Sequence, residues 1–300
     1  MTGVFVLDKP AGFTSFDAVA VARRLFGERK IGHTGTLDPM ATGVLPLLLG
    51  RAAKAESLLP DTGKEYRAGF RLGFSTDTED VTGRVLARTE ARVSAQALAA
   101  GLAPFRGEIW QTPPMYSAVQ KDGKRLYELA RKGLVVEREP RRVTISRLEL
   151  LSFEEESQQG ELLVSCSKGT YIRTLCADLA ASLGTLGVMS SLRRTRACGF
   201  SLEDALPLEE ARRLAGAGEL AQRVRPVDVL FAGLPAVTVT QPQALRFCNG
   251  GALAGERTSL RGDPPAEGSR LRLYGPGGVF LGLAGYRSGE LAPLKIFAAG

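Results

Sequence analysis

The chain has 300 residues, 44% of them hydrophobic and 24% charged. That is the balance of a globular protein with a sizeable core and, at roughly 150 residues per domain, about two domains. Lys and Arg number 39 against 32 Asp and Glu, a net charge of +7 that hints at a polyanionic partner.

One histidine, His33, excludes a His-rich metal site and leaves any Ser-His-Asp or Cys-His scheme a single imidazole to use. Four cysteines, Cys166, Cys176, Cys198 and Cys248, have no C-x-x-C zinc or redox spacing. The longest apolar run, Val44 to Leu49, is interrupted by Pro46 and is far shorter than the roughly 20 residues of a membrane helix. The N-terminal MTGVFVLDKPAG has no basic-then-apolar signal pattern. A soluble cytoplasmic protein with reduced thiols is expected.

In chain order, Val4–Leu7 reads as a short strand and Asp8–Gly12 as a turn. Thr14 with Asp17 forms a capping box for a helix that Gly27 ends. Residues 32–43, GHTGTLDPMATG, combine three glycines, a proline and three threonines, which argues for a shaped loop. Pro39 biases Asp38 to an extended backbone, so its carboxylate is held, and the apolar residues that follow put the loop beside the core. An ordinary Asp-Pro turn has the same pattern. His33 fits a structural, hydrogen-bonded imidazole as well as a functional one.

Tyr66, Ala68, Phe70 and Leu72 alternate with polar or small residues, which is strand spacing. Tyr66 lies on the apolar face, where a tyrosine is more often core than site. The run Ser75–Asp80 is acidic enough to suggest a Mg²⁺ site, but it lacks calcium-loop spacing and an accompanying P-loop, and a solvated loop is the better reading. No G-x-G-x-x-G follows a strand, so a nucleotide cofactor is unsupported.

Ser94 caps a short helix through Leu102, and residues 161–166 form another strand. Thr170 is expected to cap a helix running to Leu183, with Gly184 at its end. Arg173 then falls in the first helical turn, where a cation opposes the helix dipole at a cost of about 0.3–1 kcal/mol. Either an anionic partner explains it, or it is a surface arginine that tolerates the cost.

Residues 207–225 read as one polar helix, followed by Pro226. After Gly233, short alternating runs around Val237, Leu271 and Leu273 and the Gly275–Gly278 turn read as a small β-barrel-like domain. The expected division is 1–232 and 233–300. Strands and helices mix without a regular βαβ rhythm, so the class is α+β. Residues 111–142 carry a net +4, with Tyr116 and Tyr127 interleaved, and 233–300 a net +3. Either stretch alone fits a solvated face, and the two together favour a nucleic acid.

These residues carry a family likeness. GHTGTLDPMATGVLPLLLG (32–50) resembles the signature of the TruB-type bacterial tRNA pseudouridine synthases. The likeness continues in LDKPAGFTSFDAV, KEYRAGFRLGFSTDTEDVTG, PPMYSAVQKDGKRLYELARKG, CSKGTYIRTLCADLA and LRRTRACGF. It spans nearly all of residues 4–200, and the C-terminal piece resembles an RNA-binding PUA domain, best in LAPLKIF. The resemblance implies a mixed, mainly antiparallel sheet with flanking helices, and isomerisation of uridine to pseudouridine at position 55 of the tRNA T loop. It implies Asp38 as catalytic aspartate, Tyr66 as active-site tyrosine and Arg173 as the arginine paired with the aspartate. Tyr171 and Leu192 would wall the pocket, Lys9 lies in the N-terminal motif among the substrate contacts, and His33 would fill T-loop space vacated by flipped bases. Lys124 and Arg125, in the basic insertion, are expected RNA contacts.

Such a reaction detaches the base from C1′, rotates it and rejoins it through C5, after flipping costs a few kcal/mol of unstacking. Asp38 would act ionised, as nucleophile or as base on a glycal route, and Tyr66 could stack on the uracil and assist proton removal from C5. No cofactor or metal is needed. A monomer acting on tRNA without a protein partner is expected. The competing readings are a base-excising glycosylase, which would release free uracil, and an RNA-binding protein with no chemistry.

Overall fold

The computed structural model describes residues 1–60, 62–260 and 263–298. The chain opens with strand β1 (Gly3–Lys9), nearly all of it buried, and helix α1 (Ser15–Phe26). Both halves of the Thr14/Asp17 capping box form, and Gly27 ends the helix in the left-handed conformation, as the sequence predicts. Next come β2 (Ile31–His33) and β3 (Thr42–Leu49), the latter buried almost end to end. The shaped loop therefore spans only the residues between these two strands.

The strand anticipated around Tyr66 is β4 (Lys64–Leu72), followed by the hairpin β5 (Phe74–Thr76) and β6 (Val85–Arg88). Ser94 caps α2 (Ala95–Gly101) as expected. Strand β7 (Gly107–Gln111) leads into the basic segment, which holds the small hairpin β8 (Gln120–Lys121) and β9 (Lys124–Arg125) and one helical turn, α3 (Leu126–Ala130). The chain returns as the long β10 (Arg141–Glu154), whose Arg141 pairs with Gln111. Residues 112–140 are thus an excursion closed at its root by the sheet. Strand β11 (Gln159–Cys166), helix α4 (Ile172–Ser182), β12 (Gly187–Ala197), the short β13 (Phe200–Ser201) and β14 (Leu206–Pro207), and α5 (Leu208–Gly216) complete this part.

Among the described residues, ten strands join in one mixed sheet in the order β14-β1-β3-β12-β4-β11-β10-β7, with β2 on β3 and β13 on β12. β1 with β14 and β3 with β12 are parallel pairs, and the other pairings are antiparallel. One face packs Phe5, Leu45, Leu47, Phe70 and Val164 against apolar residues of α1, α2, α4 and α5. The α+β class follows from this layering.

Two helix boundaries differ from the expectation. Thr170 does not cap α4: its hydroxyl donates to the Ser167 carbonyl (3.0 Å), and the N-cap is Tyr171, which has no side-chain cap bond. The 207–225 helix is really α5 plus a separate 3₁₀ turn, Leu220–Arg223, because Gly218 adopts φ +75° and turns the chain.

Beyond Gly233, β15 (Ala236–Thr238), α6 (Gln241–Cys248), β16 (Leu253–Ala254), β17 (Arg270–Tyr274), β18 (Phe280–Arg287) and β19 (Glu290–Ile296) follow. The five strands form one curled sheet, β15-β17-β18-β19-β16, a half-barrel consistent with the PUA-like expectation. Leu283 and Phe297 of this part share an apolar cluster with Val4, Val44, Leu230 and Phe231, so the small sheet sits on the large one's N-terminal strands.

Candidate active site

Asp38 lies in the loop between β2 and β3, and that loop is held at almost every residue. The Ser15 hydroxyl accepts from the Leu37 N–H (2.8 Å) and donates to its carbonyl (3.3 Å). Gly12 N–H donates to the Pro39 carbonyl (2.9 Å), and Ala41 N–H to the Asp38 carbonyl (3.0 Å). Upstream, the Arg194 guanidinium donates to the Gly35 carbonyl (3.1 Å) and, from Nε, to the Val44 carbonyl (2.7 Å). Arg194 is fully buried, the largest such side chain among the described residues. A free loop would need to fix these dihedrals at the moment of reaction; here folding has fixed them beforehand.

Arg173 reaches this carboxylate from α4. Its Nε lies 2.9 Å from Asp38 Oδ2, and its Nη2 donates to Oδ1 at 3.3 Å, a two-pronged pair. The Arg173 side chain is 6% exposed and that of Asp38 33%, so the cation is sealed behind a carboxylate that still meets solvent. Nη1 donates to the Thr78 carbonyl (2.9 Å) and Nη2 also to the Tyr116 carbonyl (2.8 Å). The Arg173 position, costly by the helix dipole alone, has an anionic partner.

The start of α4 is set from outside the helix. The Gln111 side chain, 2% exposed, accepts from the Tyr171 N–H (3.0 Å) and donates to the Tyr171 carbonyl (3.1 Å). This amide does what Thr170 was expected to do. Nothing in the sequence singled out Gln111.

The acidic run 75–80 is not a solvated loop. Thr76 and Asp80 are buried, and Asp80 accepts from the Thr82 N–H (2.9 Å) and from the Thr78 hydroxyl (2.8 Å). Its Oδ2 comes within 4.0 Å of Arg173 Nε. Glu79, with φ +62°, accepts from the Thr174 hydroxyl (2.7 Å), and burial pushes its carboxyl above the usual range. The run packs on α4 because its acids have partners there.

Tyr66 sits on β4 directly across from Arg194 on β12, and Leu192 lies across from Ala68, one side-chain step further on the same face. Burial pushes the Tyr66 phenol up to about 12, although the hydrogen bond from Arg194 opposes the rise. The ring is a neutral phenol. Asp38 also acts electrostatically on Tyr66 and on Tyr171, so the four residues Asp38, Tyr66, Arg173 and Tyr171 share one region.

His33 borders it. Its Nδ1 accepts from the Gly35 N–H (3.2 Å), and its ring meets Phe16 edge-on at 6.4 Å. Burial first, and Arg194 second, lower its pKa, so the imidazole is neutral at pH 7. Phe16 itself is 64% exposed.

Lys9 is placed differently from the expected substrate contact. It is fully buried, and Nζ donates to the carbonyls of Phe13 (2.6 Å), Pro10 (2.9 Å) and Pro39 (3.4 Å). All three N–H groups are used beneath the loop, and burial lowers its pKa to about 8. Lys124 and Arg125 lie outside this region, on the excursion's hairpin. Arg125 stacks 5.9 Å over the Tyr127 ring, whose other cation is Arg131 at 5.3 Å.

The mixed α+β sheet that positions these side chains is the pseudouridine synthase fold. Similar architecture is found in the solved "Crystal Structure of a Cbf5-Nop10-Gar1 Complex", at TM-score 0.76 and 25% identity, covering 99% of this chain and 85% of that one. A second, an H/ACA RNP bound to a substrate RNA containing 2'-deoxyuridine, shares the fold at TM-score 0.75 and 23% identity, covering 99% and 85%.

Residues 23–172 match the TruB family pseudouridylate synthase N-terminal domain, 173–232 the tRNA pseudouridylate synthase B C-terminal domain, and 235–297 the pseudouridine synthase II TruB C-terminal region. The chain is 46% identical over 296 residues to the tRNA pseudouridine synthase B of Azoarcus sp. (strain BH72), covering 99% of this chain and 95% of that one. It is 42% identical over 294 residues to the protein of the same name from Cupriavidus metallidurans, covering 98% and 93%. The chain belongs to the TruB family of pseudouridylate synthases, enzymes that isomerise uridine to pseudouridine.

Proposed function

We propose that the protein converts the uridine at position 55 in the T loop of tRNA to pseudouridine, with Asp38 as the group that acts on the nucleotide. The observation that carries this reading is the Asp38–Arg173 pair at 2.9 Å, a solvent-facing carboxylate with a buried counter-charge. The tRNA substrate is supported by the names of the relatives, tRNA pseudouridine synthase B.

The flipped uridine enters beside Asp38, with the Tyr66 ring and Leu192 as apolar walls for the uracil. Asp38 attacks C1′ or takes the proton that leads to a glycal, and the C1′–N1 bond breaks. The detached uracil, confined by these walls, turns, and C5 bonds to C1′ as the Asp38–C1′ bond breaks or, on the glycal route, as C2′ regains its proton. The C5 proton is then lost and N1 takes one up, so the product is an isomer of the substrate. Because the Tyr66 phenol holds its own proton with a pKa of about 12, its role at this step is to stack on and orient the base, with its oxygen accepting from Arg194.

Tyr171 closes the pocket at the start of α4. His33, neutral and edge-on to the exposed Phe16, fills T-loop space left by flipped bases. Lys124 and Arg125 on the excursion, and the basic 233–300 segment, hold the tRNA backbone. The protein works in the cytoplasm as a monomer of two parts, 1–232 and 233–300, and uses no cofactor.

The test is an unmodified tRNA transcript carrying tritium at uracil C5. Tritium release with the base retained is the expected result. Free uracil would assign a glycosylase, and neither product would leave an RNA-binding protein.

A further inference from the structure

The face of β4 that carries Tyr66 also carries Lys64, two residues and so roughly 7 Å away along the strand. The Lys64 ammonium lies 3.1 Å from the point where Gly35 would bear a Cβ, and Arg194 Nη1 lies 3.7 Å from the same point. Two cations from adjacent strands therefore meet against the backbone just upstream of Asp38. Lys168, from the exposed turn before α4, adds a third positive charge that acts on Lys64.

Among the described residues, no carboxylate comes within ion-pair distance of Lys64, Arg194 or Lys168. Arg194 is satisfied by carbonyls, but no hydrogen bond engages the Lys64 ammonium among the described residues. Among the described residues, the other titratable groups that act on Lys64 are the Cys166 and Cys198 thiols, and burial pushes the Cys166 thiol up to about 11. Glu56 acts on the neighbouring His33, not on Lys64.

A half-buried ammonium close to a guanidinium is unfavourable in the free protein, because burial and like charge act together. An anion placed between Lys64 and Lys168 offsets both costs. Position selects which anion. Lys64 is one side-chain step from the ring against which the uracil is proposed to stack, so the anion nearest to hand is the RNA's own backbone.

We propose that Lys64, backed by Arg194 and flanked by Lys168, receives the phosphodiester adjoining the flipped uridine. This rests on the reading of the protein as an isomerase of a T-loop uridine. Lys64 is then the contact that sets how far the strand enters, in distinction from Lys124 and Arg125, which hold it from the excursion.

Equilibrium binding of a T-arm stem-loop RNA, measured across a salt series, tests this with Lys64→Gln and Lys64→Arg, alongside turnover of the same RNA. Loss of one phosphate contact lowers the magnitude of the log K against log salt slope by about 0.7–0.9. Lys64→Gln is expected to show that drop and to bind about threefold to tenfold more weakly at moderate salt. Its KM should rise by a larger factor than kcat falls, and Lys64→Arg should restore the wild-type slope. A Lys64→Gln slope equal to wild type, or a fall in kcat with that slope intact, overturns the proposal and leaves Lys64 a packing partner of Gly35. Wild-type protein that neither binds nor isomerises the stem-loop overturns the parent reading, and this one with it.

Discussion

Arg194→Met isolates what the buried guanidinium contributes. The substitution keeps much of the side-chain volume and removes donors to the Val44 carbonyl (2.7 Å), the Gly35 carbonyl (3.1 Å) and, at the limit of a hydrogen bond, the Thr36 carbonyl (3.5 Å). Hydrogen bonds to a charged group contribute about 1.5–3 kcal/mol each, so the two good ones account for roughly 3–6 kcal/mol. Removing a buried charge that has no carboxylate partner among the described residues gives part of this back. A net loss of about 2–3 kcal/mol is expected, which lowers Tm by roughly 4–10 °C in a unit of this size. Thermal unfolding followed by circular dichroism measures it.

A second readout is specific to charge. His33 is the only histidine, so its ring protons titrate in an NMR spectrum without ambiguity. Arg194 is one cause of its lowered pKa, and the Met variant should therefore show the His33 titration moved up towards the ordinary value. Arg194→Lys should keep that pKa low while still losing stability, since an ammonium cannot span the same carbonyls. A Met variant that melts within a degree of wild type, with the His33 titration unmoved, refutes the clamp.

Four further outcomes are expected. Asp38→Asn should abolish turnover while tRNA affinity stays within a few-fold, and residual activity near wild type in a single-turnover assay would remove Asp38 from the chemistry. Gly43→Ala should destabilise by at least about 1–3 kcal/mol, because Gly43 has φ +105° and a Cβ there would sit 2.2 Å from the Arg194 carbonyl oxygen; a denaturant midpoint equal to wild type would contradict this. Lys9 is held at about 8 when folded against 10.5 ordinarily, so the unfolded chain binds more protons between those values and wild type should gain stability over Lys9→Met as pH rises from 8 to 10.5; a constant difference in denaturant midpoint argues against it. Neutralising Lys124 and Arg125 should weaken tRNA binding and flatten its salt dependence, and an unchanged slope returns them to an ordinary solvated surface.

Local signals in the sequence located the local structure. The Thr14/Asp17 box, Ser94 and the alternation through Tyr66 each depend on neighbours within a few residues, and each forms as read. The pairing partner of Arg173 was legible as a need for an anion, since the helix dipole makes that cation costly, and the family likeness implied which one. The misses share a cause. Thr170 lost the cap of α4 to Gln111, an amide on an edge strand, and the acidic run 75–80 is partly buried, with Thr174 and Arg173 bonded to it. Arg194 and Lys64 could not be singled out either: their position depends on β4 and β12 pairing in one register, which residue spacing alone does not reveal. Lys9, carried by the N-terminal motif, braces a loop from beneath, a contact that depends on β1 lying under Phe13 and Pro39 and that spacing does not reveal.

The partners that converge on Arg173 are widely separated along the chain: 57 residues to Tyr116, 95 to Thr78 and 135 to Asp38. Closing loops of that length is the slow part of folding. The full set of contacts on Arg173 therefore forms only after the root of the 112–140 excursion, the acidic run and the N-terminal loop have all docked on α4. Recovered activity after dilution from denaturant should lag behind recovered secondary structure, and a nick or a circular permutation can be tolerated only where it leaves these three approaches intact. In this fold, an intact Arg173 cluster reports that three distant stretches of the chain have come together on one helix.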